Sequence, residues 1–486
     1  MLRSLAMATS VVTIACGVGV TTSALTSDPS STAKPEAGGG TPVLSVRRAP
    51  KFLADSVASS SLRKLVTSRL AGSELEGVAE RSCFVAEILA PSGAGSARPI
   101  LSLQPNQPVI PASTMKILTA QAALSIIGGE EHFSTTVRSS GPAVGGIVSG
   151  DLWLVGGGDP LLETVAYTKT KRHRPGTATS LDALADQVVA SGLKEVRGRM
   201  IGDDRVFDDI RVLPTWKKAY VTEGEVGPIG GLIVDDNFSV VDKKGRRTAA
   251  VDVSRNGAEA FQSLLEERGV VFGLEASGAA RSDPSAATAA PNLVATAKSI
   301  PLTDVVGEML RESDNTTAEV LLKHVGVRSG GDPATAAGAA VTGRSLAYIG
   351  VPEAVRSNVR IVDGSGLDRG NRVTCSTLVG VLRGSPIDGP MVSGFAVMGE
   401  VGTLRERLKG TAAAGHVRAK TGTLNGVSAL AGLADAGDGR RIRFAMVLNG
   451  LASTGYGVTF GNELASNLVA FPESAVSPAA LAPKPS

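Results

Sequence analysis

Ser113 and Lys116 stand three residues apart in Ser113-Thr114-Met115-Lys116, a spacing that puts a hydroxyl and an amine on one face of a helix. Such a pair can run serine acyl transfer without histidine or aspartate: the hydroxyl attacks a carbonyl, and the amine, when neutral, takes its proton. Two more strings follow in order, Ser313-Asp314-Asn315 and Lys420-Thr421-Gly422. They add a second hydroxyl, an amide that both donates and accepts, and a second amine. A serine in a helix's first turn also meets the positive end of the peptide dipole, which favours developing negative charge.

Context separates these strings from chance copies. S-x-x-K recurs at Ser31 to Lys34, Ser61 to Lys64 and Ser191 to Lys194. The first copy lies in a Pro/Gly/Ser-rich stretch and the second in the amphipathic run Leu62, Leu65, Val66, Leu70; the third falls where a helix should stop at Gly192. Only Ser113 follows Pro111-Ala112 and leads into a helix-forming run, Met115 to Ile127, closed by Gly128-Gly129. S-x-N recurs at Ser254 to Asn256, whereas K-T-G occurs once.

The ordered set resembles that of the β-lactamases and penicillin-binding proteins. Three further strings narrow the resemblance: Asp151-Leu152-Trp153-Leu154-Val155-Gly156-Gly157-Gly158-Asp159-Pro160, Asp363-Gly364-Ser365-Gly366-Leu367 and Val401-Gly402-Thr403-Leu404. These look like the secondary motifs of the low-molecular-mass class C penicillin-binding proteins, the D-alanyl-D-alanine carboxypeptidase/endopeptidases similar to penicillin-binding protein 4. Members of that group carry a large insertion between the first two active-site motifs. Here about 200 residues separate Lys116 from Ser313, enough for another domain.

The resemblance, which covers residues 80 to 470, implies an α+β fold: a penicillin-binding-protein/β-lactamase-like transpeptidase domain, an antiparallel sheet flanked by helices, interrupted by the insertion. It implies Ser113 as nucleophile and Lys116 as general base, with the Lys116 pKa depressed by a neighbouring Lys420 ammonium and by partial burial. Ser313 would relay a proton to the leaving amine, and Asn315 would hold Lys116 and the substrate's amide. Lys420, Thr421, Gly422 and Thr423 would wall the site for the terminal carboxylate, and the backbone N–H groups of Ser113 and Thr423 would form the oxyanion hole. The implied partner is a peptidoglycan stem peptide ending in D-Ala-D-Ala, with endopeptidase action on cross-linked stems as a second activity and β-lactams as covalent inhibitors. No cofactor is expected. Two rival readings are a β-lactamase, disfavoured by the long interval and the K-T-G-T-L string, and a turnover-deficient penicillin-binding scaffold, disfavoured by the intact motif residues.

Several elements must position these groups. Phe84 to Leu89, a Pro91-Ser92-Gly93 turn and Pro99 to Leu103 read as a hairpin ahead of the Ser113 helix. Near the other end, His416 to Thr421, Gly426 to Leu433 and Arg441 to Leu448 read as strands, and a segment near Asn462 to Val469 as a helix packing on them. Lys420 would then lie on a sheet-edge strand facing the Ser113 helix. The division expected is a signal peptide or anchor at 1–26, a linker at 27–50, a discontinuous catalytic domain at 51–131 and 293–472, an inserted region at 132–292 and a loose tail at 473–486. Inside the insertion, two helix-glycine-strand units, Leu181 to Gly202 and Ala258 to Ala276, read as a weak repeat or as two ordinary αβ hairpins.

Composition excludes other classes. Only 3% of the 486 residues are aromatic and the net charge is +3 with both signs interspersed, so nucleic acid is not an expected partner. His132, His173, His324 and His416 are isolated, with no metal-ligand spacing, and no metal is expected. Gly156-Gly157-Gly158-Asp159 lacks the Gly-Lys-Ser/Thr of a phosphate loop and reads as a turn. Arg3 followed by the apolar stretch Leu5 to Val20 implies export to the cell envelope, with membrane association through this segment or lipidation at Cys16 as further options. Cys83 and Cys375 read as two separately buried thiols, although an oxidising compartment would permit pairing.

Overall fold

The computed structural model describes residues 51–72, 75–89, 97–169, 176–241, 247–283 and 285–473. The expected signal and linker, Cys16, the Ser31 to Lys34 copy, the Pro91-Ser92-Gly93 turn, His173 and the tail from 474 onward lie outside these residues.

The main sheet has six strands: β1 (Ser82–Ile88), β2 (Arg98–Leu103), β3 (Ala396–Val397), β4 (Val417–Leu424), β5 (Val427–Asp435) and β6 (Arg441–Asn449). Their spatial order is β3-β4-β5-β6-β1-β2, and every pairing is antiparallel. The hairpin is therefore β1–β2, and its first strand lies against the last, Ser82 opposite Leu448 and Ile88 opposite Ile442. Strand side chains alternate between faces, and here both faces are covered. Cys83, Val85, Ala429, Ala431, Ala445 and Val447 look into one core; Phe84, Ala86, Leu430, Phe444, Met446 and Leu448 look into the other. Burial on both sides explains why β5 and β6 read as nearly unbroken apolar runs rather than as clean alternation.

Two helices cover the second face. These are α1 (Lys51–Leu70), which contributes Ala58, Leu62, Val66 and Leu70, and the carboxy-terminal helix Thr454–Val469, which contributes Phe460, Leu464 and Leu468. The first face carries α2 (Lys116–Ile126), α3 (Leu302–Glu312), α4 (Asn315–Arg328) and α5 (Cys375–Arg383), so the Ser113 helix, the S-D-N string and β4 converge on one side of the sheet. The α+β sandwich implied by the resemblance is thus present.

Residues 134–298 build separate sheets. The larger runs Ser277–Gly278, Met200–Asp203, Leu152–Val155, Ser134–Ser139, Asn292–Lys298, and the smaller runs Val271–Phe272, Glu195–Val196, Ile147–Val148. The three segments 147–155, 195–203 and 271–278 each supply one strand to each sheet and stack in parallel. The two helix-glycine-strand units are neighbouring rungs of this stack. Gly192 and Gly269 end their helices at φ +89° and +86°, the left-handed turn that glycine adopts without steric cost. The Gly156 to Gly158 stretch is a closely packed loop rather than a turn: a Cβ at Gly157 would lie 2.2 Å from the Ser134 carbonyl oxygen. Several contacts seat this region on α4. Lys323 pairs with Asp208, and His324 stacks on Phe133 and meets Phe207 edge to face, with Nε2 at 2.9 Å from the Gly158 carbonyl. Burial pushes the His324 pKa down to about 4, so the ring is neutral and structural.

One expectation is corrected. Cys83 and Cys375 are not independent thiols but a disulfide, with Cα atoms 5.7 Å apart across 292 residues of sequence. Each cysteine is buried within its own element, and the two elements meet. The odd-numbered face of β1 points at the first turn of α5, which puts both sulfurs into the same core.

Candidate active site

Ser113 sits on a tight 3-10 turn, Ala112–Met115, that runs directly into α2 at Lys116. Buried Ala112 takes φ +48°, a left-handed conformation that costs a non-glycine residue about 1–2 kcal/mol. Ser313 repeats the device: it ends α3 at φ +64°, after which Asp314 caps α4 by accepting from the Thr317 N–H at 2.6 Å. Both hydroxyls therefore hang from strained turns held by packed helices.

The Lys116 amine is fully buried and has three oxygens around it: Ser113 Oγ at 3.1 Å, Asn315 Oδ1 at 2.6 Å and the Ser365 carbonyl at 2.8 Å. Asn315 is held in turn by its Nδ2, which donates to the Glu225 carbonyl at 2.8 Å. Lys420, also buried, donates to Ser313 Oγ at 2.7 Å and to the Thr421 carbonyl at 2.9 Å, and Thr421 Oγ1 donates to Thr403 Oγ1 at 2.9 Å. Strand β3 pairs only with Arg418 and Ala419, so from Lys420 onward β4 is an open edge beside the serine turn. Gly422 permits the approach; a Cβ there would lie 2.8 Å from the Pro111 carbonyl oxygen and 3.2 Å from the Ser113 nitrogen.

Ser113, Ser313, Asn315, Thr421, Gly422 and Thr423 line one cleft of about 830 Å³. Thr423 is exposed on its wall, and Lys116 and Lys420 lie beneath its floor. All eight residues singled out from the sequence are therefore together. The other described S-x-x-K copies lie elsewhere, on α1 and at the end of the helix Leu181–Ala190.

Burial dominates the electrostatics of both amines. It pushes the Lys116 amine down to about 8, while the carboxylates of Asp314, Asp363, Glu319 and Glu225 pull the other way. Burial, and then the neighbouring Lys116 charge, hold Lys420 well below its ordinary value, with Glu312 pulling the other way. Lys116 is the one surrounded by acids.

The three active-site strings say nothing of what lies under Lys116; one of the secondary strings, Asp363 to Leu367, lies there. The loop from Asp363 to Asp368 passes below the amine, and buried Asp363 accepts from Gly366 N at 2.8 Å, Asn371 Nδ2 at 2.7 Å and Trp216 Nε1 at 2.9 Å. Buried Glu319 accepts from the Gly364 and Ser365 N–H groups at 3.0 and 2.7 Å. Its position four residues after Asn315 was the available signal, since that spacing keeps both on one helix face.

Known proteins share this chain's sequence family and fold. The model of the D-Ala-D-Ala carboxypeptidase 3 (S13) family matches residues 89–254 and 239–465. The chain is 32% identical over 418 residues to a D-alanyl-D-alanine carboxypeptidase of Actinomadura sp. (strain R39), covering 70% of this chain and 73% of that protein. It is 31% identical over 368 residues to carboxypeptidase DacB of Mycolicibacterium smegmatis, covering 72% and 73%. Among solved structures, penicillin binding protein 4 (dacB) from Haemophilus influenzae superposes with a TM-score of 0.67 at 22% identity, over 83% of this chain and 99% of that one, a likeness of fold.

Proposed function

Because this chain belongs to the D-Ala-D-Ala carboxypeptidase 3 (S13) family, we propose that it is a serine-type D-alanyl-D-alanine carboxypeptidase acting on peptidoglycan stem peptides. The observation that carries the reading is the Lys116 amine placed 3.1 Å from Ser113 Oγ with two shorter acceptors on its other sides. A neutral amine has two hydrogens and one lone pair. Donating to Asn315 Oδ1 and the Ser365 carbonyl turns the lone pair toward the Ser113 hydroxyl, as a general base requires.

In this mechanism Ser113 Oγ attacks the carbonyl carbon of the penultimate D-alanine as Lys116 takes its proton. The oxyanion is received by the backbone N–H groups of Ser113 and Thr423. The Ser313 hydroxyl passes a proton to the departing amine and is reprotonated through Lys420, 2.7 Å away. The C–N bond breaks, D-alanine leaves, and water then hydrolyses the Ser113 ester. The terminal carboxylate lies along Lys420, Thr421 and Thr423. β-Lactams, whose strained amide occupies the place of the D-Ala-D-Ala bond, acylate the same serine. Residues 51–131 and 293–472 carry the chemistry, and the inserted 132–292 shape one bank of the cleft through Tyr220, Glu223 and Glu225.

The open cleft of about 830 Å³ also favours a second activity, cleavage of cross-linked stems, whose acceptor is larger than one D-alanine. The substrate places the protein in the cell envelope, reached through the amino-terminal segment. Among the described residues no helix is long and apolar enough to cross a membrane. The test is incubation of the purified protein with muropeptides. Free D-alanine marks the carboxypeptidase, cleaved cross-links mark the endopeptidase, and neither should form with Ser113→Ala. A wild-type protein that fails to take up a fluorescent penicillin would sink the reading, and rapid loss of the label would favour a β-lactamase.

A further inference from the structure

Glu319 touches neither Ser113 nor the cleft, yet it grips the loop that orients the base. One carboxylate oxygen, Oε1, accepts from both the Gly364 and the Ser365 N–H groups, at 3.0 and 2.7 Å. From the other side Thr119, one turn along α2 from Lys116, donates to the Gly364 carbonyl at 2.7 Å. With Gly364 fixed from both sides, the next carbonyl, that of Ser365, points at the Lys116 amine at 2.8 Å. The loop has no room to settle elsewhere: Gly366 takes φ +87°, and a Cβ on it would lie 1.9 Å from the Ala112 carbonyl oxygen in the serine turn itself. All four side chains, Glu319, Thr119, Lys116 and Ser365, are buried, so water is not available to replace a lost partner.

We propose that Glu319 is a positioning residue for the acyl-transfer reaction: its Oε1 clamps the Gly364-Ser365 peptide so that the Ser365 carbonyl takes one hydrogen of Lys116 and leaves the amine's lone pair facing Ser113. The inference rests on Lys116 being the base. What the clamp requires is an acceptor oxygen, not a charge. That distinction suits a carboxyl which burial, and then the neighbouring Asp363, push up to about 8. The groups facing the Lys116–Glu319 pair are Asp314 and Lys323 on α4, Asp363 on the loop, Glu225 from the inserted region and Lys420 on β4.

The test separates acceptor from charge by following covalent labelling with a fluorescent penicillin as a function of its concentration, which resolves initial binding from the acylation step. Glu319→Gln keeps the acceptor and should acylate within about threefold of wild type. Glu319→Met keeps the bulk and loses the acceptor; its acylation step should slow by about 100-fold, the scale of a small misplacement of a catalytic group, with initial binding unchanged. A purely structural role would lower the unfolding midpoint of Glu319→Met without slowing the acylation step of the folded protein. Should that variant not fold, Thr119→Val loosens the same peptide from α2 and should slow acylation by about tenfold with binding unchanged. Wild-type acylation in Glu319→Met or in Thr119→Val, or equal losses in Glu319→Met and Glu319→Gln, overturns the clamp. Absence of labelling in the wild type overturns the underlying assignment of Ser113 and Lys116 instead.

Discussion

Lys116 has more acids than bases around it and is nevertheless the group whose proton must leave, so its charge state at a given pH decides how much active enzyme exists. Burial outweighs Asp314, Asp363, Glu319 and Glu225 and brings the amine to about 8. Below that value the base is mostly protonated. The acylation rate should therefore rise about tenfold per pH unit below about 8 and level off above it, which labelling rates between about pH 6 and 9 will read. Lys116→Met removes the base and should slow acylation by about 100- to 10,000-fold while the fold persists, measured against the unfolding midpoint of the wild type. The types and spacing of Ser113 and Lys116 were legible in the sequence. The Ser365 carbonyl was not, because a backbone acceptor has no residue signature and matters only through where its loop is folded.

At the scale of elements, α4 does most to assemble the site. Its first residue, Asn315, holds Lys116; its next turn carries Glu319; and Lys323 and His324 hold the inserted region. Asp314 both caps this helix and raises the Lys116 pKa. Two substitutions separate those effects. Asp314→Asn keeps a capping oxygen but removes the negative charge, so the Lys116 pKa falls and the rising limb of the acylation profile should move below about 8, with stability nearly unchanged. Asp314→Ala also moves the limb, and loses the cap, costing about 0.5–2 kcal/mol in denaturant unfolding. An unmoved limb in both variants would show that Asp314 does not influence the base. The strands and helices bearing the motifs could be read from apolar periodicity and turn residues. The start of α1 could not: the helix begins at Lys51, well ahead of the run Leu62 to Leu70, and in its earlier part buried Ala58 sits beside exposed Val57, so no clear apolar stripe marks it.

For the molecule as a whole, the link that ties distant parts of the chain is the Cys83–Cys375 disulfide, which joins the sheet's β1 to α5 just after the loop beneath Lys116. Closing so long a loop restricts the unfolded chain. The double variant Cys83→Ala/Cys375→Ala should lose about 2–4 kcal/mol in urea unfolding, and the wild type unfolded in reductant should lose a similar amount. Equal urea midpoints for variant and wild type would show that the two cysteines do not pair in solution. The sequence by itself determined which groups are available for chemistry, their order, and the local spacing of Ser113 with Lys116, since a helix repeat carries position faithfully over a few residues. It also determined, through motif resemblance, the fold class and the long interval between the first two strings. Only the tertiary structure decided that the two cysteines meet, that Glu319 and the Ser365 carbonyl lie beneath the base, and that burial is the leading cause of the lowered pKa of both Lys116 and Lys420. The reason is physical: contact between residues hundreds apart, and the desolvation that shifts a buried amine, depend on what surrounds a group in space, and no local pattern along the chain specifies that environment.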